Sequence, residues 1–336
     1  MKRFFIFLTL IIVAGVAIAL YAWGQFYGSA VDDEQVIYLC QNDLGEGVVD
    51  SLILPNIKNK VAFKFYGERL NLNKTIKAGR YELKSGMSVV DVVRMFKLGL
   101  QAPVLVTFNN ARGAEQLAGK IAPHIDADSI SILRAITSPE IAECVGLKPE
   151  EMISLFIPNS YEMWWTTTPE ALIDRMKLEY DKFWTPRREA AREELGLSRV
   201  EVSTLASIVY EESAKEDEMA RVAGVYLNRL RIGMLLQADP TVKYAVGDFT
   251  LQRILYKHLE YDSPYNTYIY AGLPPGPIAV PSIAALDGVL FAEKHDYLYF
   301  CARAEMDGYH NFATTYSQHL ANARKYSAEL NRLGIR

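Results

Sequence analysis

The sequence predicts an α+β protein: an N-terminal transmembrane helix, then a small α+β module, then a larger domain of mixed helices and strands. Three observations carry this expectation. A charge-free apolar run, Phe4 to Trp23, follows a basic start. Short apolar stretches broken by turn residues fill residues 36–100, ending in one strongly amphipathic helix. Beyond residue 101 long helical patterns alternate with Pro- and Gly-rich loops and end on a strand and a helix. At 336 residues a single core tends to divide, which agrees with more than one module.

Lys2 and Arg3 precede the apolar run, whose twenty residues span roughly 30 Å as a helix, one bilayer core. The positive-inside tendency then leaves residues 1–3 as a cytoplasmic stub, residues 4–23 in the membrane and the rest outside. Tyr21, Trp23, Phe26 and Tyr27 suit an aromatic belt at the far interface. Ala17-Ile18-Ala19 offers a signal-peptide cleavage site, but the run continues past it to full spanning length, which favours an anchor. Residues 24–35 read as a polar tether.

In the module of residues 36–100, Lys77 to Leu83 reads as a turn into a strand. Ser88 starts a helix with Val89, Val92, Val93 and Phe96 on one face, and Gly99 stops it. The domain of residues 101–336 opens on a strand at Val104–Val106, and residues 112–200 are mostly helical. An aromatic patch runs from Phe156 to Trp165; Trp164 and Trp165, being adjacent, cannot both point inward. Tyr297 to Cys301 reads as a buried strand, and a helix from about Ser317 to Leu333 closes the chain.

Composition excludes several classes. Half of the residues are hydrophobic, so a disordered or collagen-like chain is ruled out. Lys and Arg number 36 against 40 Asp and Glu, so no basic excess exists to neutralise nucleic acid. Cys40, Cys144 and Cys301 lie too far apart for a CxxC pair, and their odd number argues against a disulfide framework. There is no phosphate-binding G-x-x-x-x-G-K-[ST], no G-x-G-x-x-G, no G-x-S-x-G, no Ser-x-x-Lys and no H-E-x-x-H. Neither a cofactor nor a metal is expected, and carboxylates are left as candidate chemistry.

One carboxylate is placed distinctively. Ser198 and Glu201 form a capping box, and the helix they start carries Val202, Leu205 and Val209 on its apolar stripe. The next position on that stripe is Glu212, whereas Glu211 is rotated by about 100° onto another face. A carboxyl on a core-facing stripe is partly desolvated, which raises its pKa and suits it to general acid catalysis near neutral pH. A second helix, about Glu216 to Met234, buries Met219, Val222, Ala223, Tyr226 and Leu230. Asp239, before Pro240, is expected in a turn where it bonds backbone amides. The loop from Tyr265 through Gly272–Ile278 combines stiff backbone with amide and hydroxyl groups and could wall a polyhydroxylated ligand, although a Pro-Gly run of this kind is more often a rigid connection. His310 lies beside a further candidate loop.

Several stretches together resemble the YceG-like endolytic murein transglycosylases. They are LASIVYEESAKEDEMARVAGVYLNRLRIGMLLQADPTVKYAVG, SPYNTYIYAGLPPGPIAVPS, YLYFCARAEMDGYHNFATTYSQH, LFIPNSYEMWW and KAGRYELKSGMSVVDVV. The resemblance covers nearly all of the chain after the anchor and implies a membrane-anchored enzyme that cuts nascent peptidoglycan strands with 1,6-anhydro-muramyl ends. It places the catalytic glutamate on Glu212 and makes the first module LysM-like. Candidate glycan-contacting residues are Asn228, Gln237, Asp239, Tyr265, Asn266, Thr267 and His310, with peptidoglycan synthases as implied partners. Tyr210, Ser282 and Asn159 depart from residues common in the family. Two other readings stand beside this one: a hydrolytic muramidase pairing Glu212 with Asp239, and a catalytically silent glycan-binding scaffold.

Overall fold

A computed structural model describes residues 2–45, 47–251 and 254–334. The chain divides into two compact units. The first holds the chain up to Val106 with His124–Asp126 and Tyr161–Thr167; the second holds Thr107–Pro123, Ala127–Ser160 and the chain from Thr168.

In the first unit, α1 (Lys2–Tyr27) carries the whole apolar run. It extends one turn past Trp23, whose ring stacks on Tyr27 at 4.2 Å. The following segment is no loose tether. Ala30 and Val31 are fully buried, and their backbone is satisfied. The Ala30 amide donates to the Met87 carbonyl at 2.8 Å, the Ala30 carbonyl accepts from Lys58 at 2.9 Å, and Val31 accepts from Gly86 at 3.0 Å. Two apolar residues in a polar stretch are enough to draw it into the core once those partners are present.

The strand β1 (Gln35–Leu39) precedes α2 (Lys60–Arg69) and α3 (Leu72–Thr75) and pairs antiparallel with β2 (Gly79–Leu83), Gln35 opposite Leu83 and Leu39 opposite Gly79. Alternation sends Ile37, Leu39, Tyr81 and Leu83 inward. They meet α4 (Val89–Leu98), which buries Val89, Val92, Val93 and Phe96. Ser88 caps α4 reciprocally with Asp91, and Gly99 ends it in the left-handed conformation at φ 67°.

Next come β3 (Val104–Phe108), α5 (Gly113–Ile121), α6 (Ser129–Thr137), α7 (Pro139–Cys144) and β4 (Asn159–Met163), with β3 and β4 forming a two-stranded sheet. Trp165 meets the Tyr38 ring edge-on at 5.0 Å while Trp164 stays exposed, so the pair does split. Cys40, Cys144 and Cys301 are free.

The rest of the second unit is built of α8 (Pro169–Phe183), α9 (Pro186–Leu195), α10 (Arg199–Glu212), α11 (Glu216–Arg231), α12 (Asp239–Val246), α13 (Tyr256–Leu259), α14 (Ile283–Leu290), β5 (Tyr299–Ala302), β6 (His310–Ala313) and α15 (Tyr316–Arg332). Its central helix is α10, packed by α11, α12 and α14 and buried at every position from Val202 to Val209. Ser207 on α10 accepts the Ile278 amide at 3.0 Å, and Val280 donates to the Ala111 carbonyl at 2.8 Å. A β-carbon on Gly276 would clash with the Glu150 carbonyl oxygen. Of the two readings the sequence allowed, the Pro-Gly stretch is the rigid, packed connection and not the ligand wall. Ser282 serves as the N-cap of α14, its hydroxyl accepting from the Ala285 amide.

The strand expected to be buried at Tyr297–Cys301 is β5, and it is half-buried. Among the described residues its one partner strand is β6, with Phe300 opposite Phe312, and its residues line a cavity that keeps them open.

Candidate active site

The site begins with the end of α10. Ser198 accepts the Glu201 amide and Glu201 returns the bond, so the helix starts where the capping box puts it. It ends after Glu212 because Ser213 takes extended dihedrals, φ −129° and ψ 127°. The two neighbouring glutamates then diverge. Glu211 turns to Arg112, 2.8 Å away. Glu212 turns to the wall of a cavity of about 370 Å³, where the Tyr226 hydroxyl donates to its Oε1 at 3.0 Å.

Glu212 is half-buried at that wall, with protein around its carboxyl. Burial pushes the carboxyl up from 4.5 to about 7, against the opposing pull of the Tyr226 hydrogen bond; Asp239 adds to the rise and Lys243 and Arg229 reduce it. The Tyr226 hydroxyl is itself held well above its ordinary range by burial and by Glu212. It remains a donor to the carboxyl.

The opposite wall comes from the turn before α12. Gln237 sits at φ 48°, a left-handed backbone uncommon for a residue with a side chain. Thr267 holds it there: its carbonyl accepts the Gln237 amide at 3.1 Å and its hydroxyl accepts the Ala238 amide at 3.0 Å. Thr241 closes the arrangement, its hydroxyl 2.8 Å from that of Thr267. Asp239 does not bond backbone amides as expected. It opens α12, and its carboxylate accepts the Tyr268 hydroxyl at 2.6 Å. Pro240 has no amide to offer, and the Thr241 amide is already given to the Ala238 carbonyl at 3.1 Å.

Arg229 is buried, with burial lowering its pKa, and its guanidinium is spent on main chain. It donates to Leu298 and Leu236 carbonyls, each at 2.7 Å, and so fixes the approaches to β5 and α12. On the far side His310 is held by Glu218, which is almost fully buried. Glu218 accepts the His310 amide at 3.0 Å and stands 2.7 Å from its ring Nδ1. Tyr299, Phe300, Tyr316 and His319 add an aromatic face, with His319 stacked on Tyr299 at 5.5 Å. Burial lowers the His319 pKa, which favours its neutral ring.

A carboxyl that stays protonated to near neutrality, at the mouth of a polar and aromatic cavity, can donate a proton to a leaving oxygen. The profile of the YceG-like family matches residues 43–325. The chain belongs to the YceG-like family. It is 27% identical over 293 residues to the endolytic murein transglycosylase of Bacillus subtilis strain 168, covering 82% of this chain and 79% of that protein. It is 30% identical over 276 residues to the endolytic murein transglycosylase of Streptococcus pneumoniae strain D39, covering 73% of this chain. The aligned part spans about half the length of that streptococcal relative, 50%. A solved yceG-like protein of Listeria monocytogenes superposes with a TM-score of 0.56 at 27% identity, over 86% of this chain and 99% of that one.

Of the residues singled out by sequence in this YceG-like chain, Gln237, Asp239 and His310 line the cavity with Glu212. The other four do not. Asn228 donates to the His295 and Tyr297 carbonyls at 2.8 and 3.0 Å and faces a different, larger cavity. Asn266 is fully buried and donates to the Leu259 and Tyr261 carbonyls at 2.9 and 2.8 Å. Thr267 builds the Gln237 turn, and Tyr265 packs on Tyr244 at 4.7 Å. Asn228, Asn266 and Thr267 satisfy backbone groups, which composition alone does not separate from ligand contact.

Sequence reasoning gave no site role to Tyr226, Arg229, Tyr299 or His319, and it reached Tyr268 only as part of the loop starting at Tyr265. The helical pattern puts Tyr226 on the buried face of α11, and a buried tyrosine needs a partner for its hydroxyl. Glu212, on the stripe of the helix just before it, was the partner at hand.

Proposed function

We propose that this chain is a membrane-anchored lytic transglycosylase that cuts peptidoglycan strands internally, between N-acetylmuramic acid and N-acetylglucosamine. The name borne by its relatives supports the reaction class, and the observation that carries it is Glu212, whose carboxyl keeps its proton to about pH 7 beside an open cavity. Glu212 donates that proton to the glycosidic oxygen as the bond to the muramyl C1 breaks and positive charge develops on the sugar. The resulting carboxylate takes the proton of the same sugar's 6-hydroxyl, whose oxygen closes on C1. The anhydro ring forms, the second product leaves with the first proton, and Glu212 is protonated again.

A hydroxyl carried by the substrate replaces water, so no second carboxylate need stand ready. Asp239 fits that account, because the Tyr268 hydroxyl already engages its carboxylate at 2.6 Å. Tyr226 steadies the transient Glu212 carboxylate through its 3.0 Å bond.

The same proposal takes α1 as a single-pass anchor in the inner membrane with everything after it extracytoplasmic, since Lys2 and Arg3 lie at its start. It takes residues 36–100 as a LysM-like, glycan-contacting module and residues 101–336 as the catalytic domain. Wall synthases are the partners such an enzyme would serve.

Incubation of the full chain with uncrosslinked glycan strands, followed by mass spectrometry of the new termini, tests the reaction. Anhydro-muramyl ends are expected. Reducing ends would replace this mechanism with hydrolysis by Glu212 and Asp239. Intact strands, together with undisturbed cell-wall growth in a Glu212→Gln strain, would favour the scaffold reading.

A further inference from the structure

The first unit carries an exposed apolar ridge where α1 ends. In α2 the inward face, Ala62, Phe63 and Gly67, is buried in the core. The outward face presents Val61 and Phe65, four residues apart and so on one side of the helix. Val61 is 85% exposed and Phe65 58%. Single exposed apolar residues are ordinary on a soluble surface. The position of these two is not ordinary.

Phe65 and Tyr66 each set a ring 6.2 Å from that of Phe26, in the last turn of α1. The segment entering α2 is tied to the same turn, the Asn59 side-chain Nδ2 donating to the Gln25 carbonyl at 2.9 Å. The apolar run of α1 ends at Trp23, and Phe26 lies about 4.5 Å further along the axis. The headgroup layer beyond the hydrocarbon is about 5–7 Å deep on each side, so Phe26 lies within it. Phe65 is one ring contact away. Exposed Lys60 and Lys64 flank the ridge, and Lys64 is paired with Asp50 at 2.8 Å. Apolar and aromatic side chains edged by lysine match the chemistry of a membrane–water interface.

We propose that the outward face of α2 rests on the bilayer surface from which α1 emerges, with Val61 and Phe65 inserted at headgroup level. The ridge continues the lipid-facing surface of α1 sideways and holds the first unit against the membrane. A single helix crossing leaves a module free to swing, whereas a second contact one ring away removes that freedom. The proposal rests on reading α1 as a membrane span.

The test uses the full chain in phospholipid vesicles, with Cys40, Cys144 and Cys301 changed to Ser and one cysteine at a time labelled with NBD. The labelled variants are Val61→Cys, Phe65→Cys, Val16→Cys within α1, and Leu178→Cys, exposed on α8. Lipids carrying a nitroxide near the headgroup are expected to quench the probes at 61 and 65 several-fold more than the probe at 178. Deep-nitroxide lipids quench the probe at 16. Probes at 61 and 65 that behave like 178, while 16 is quenched, overturn the docking and leave the anchor standing. An unquenched probe at 16 overturns both. Shielding of 61 and 65 only when a second protein is added assigns the ridge to that protein instead.

Discussion

Two cavities of the second unit both carry acidic residues, and they treat their glutamates differently. The larger, about 930 Å³, is bounded by α9, α11 and the segment after α14. Both of its glutamates are ion-paired at the surface: Glu194 with Lys294 at 3.2 Å and Glu293 with Arg221 at 2.9 Å. The smaller, about 370 Å³, holds Glu212, which accepts a tyrosine hydroxyl and forms no ion pair among the described residues. Size does not locate the chemistry. Desolvation without a paired cation does, because it is what keeps an acid protonated where a donor is needed.

The largest effect should come from exchanging the same group in both places. Glu212→Gln keeps the volume and removes the proton donor, so turnover on glycan strands should fall by about 10²–10⁴-fold with the circular dichroism spectrum unchanged. Glu293→Gln in the larger cavity should leave turnover alone. Equal losses in both variants would erase the distinction between the cavities.

Stability separates the cavities next. Glu218→Ala leaves His310 without its buried partner and should lower unfolding free energy by about 3 kcal/mol in urea titration. Glu194→Ala breaks only a surface pair and should not move the transition measurably.

The pH dependence follows from the direction of one shift. Glu212 binds its proton more tightly folded, near 7, than unfolded, near 4.5. Relative to Glu212→Gln, the wild type therefore has its full stability below about pH 4.5 and loses it as pH rises towards 7. The loss is on the order of 3 kcal/mol at most. Turnover should fall above pH 7, about tenfold per unit, as the acid ionises. The smallest effect belongs to Tyr226→Phe. Removing the hydroxyl that steadies the carboxylate should raise the Glu212 midpoint by about one unit and move the alkaline limb of the rate profile upward with it.

How far such a site can be read from sequence depends on whether its geometry is local. The α10 stripe ends on Glu212 and turns Glu211 away because helical period and a capping box act within one element. Ser88 and Gly99 delimit α4 for the same reason. His310 could be suspected from its loop, but the Glu218 that holds it lies 92 residues away. The left-handed Gln237 is held by Thr267, which comes from a separate segment. Asn228 and Asn266 have the composition of ligand contacts and the partners of structural staples. Non-local satisfaction of backbone groups was the part that periodicity could not supply.

The most direct test is the titration of a single side chain. Infrared difference spectroscopy on protein labelled with ¹³C-glutamate, wild type minus Glu212→Gln, reads the protonated carboxyl at position 212 across pH. A midpoint near 7 is the predicted result. A midpoint near 4.5, the ordinary glutamate value, would mean an acid already ionised at neutral pH, and the proposed proton transfer would have no donor.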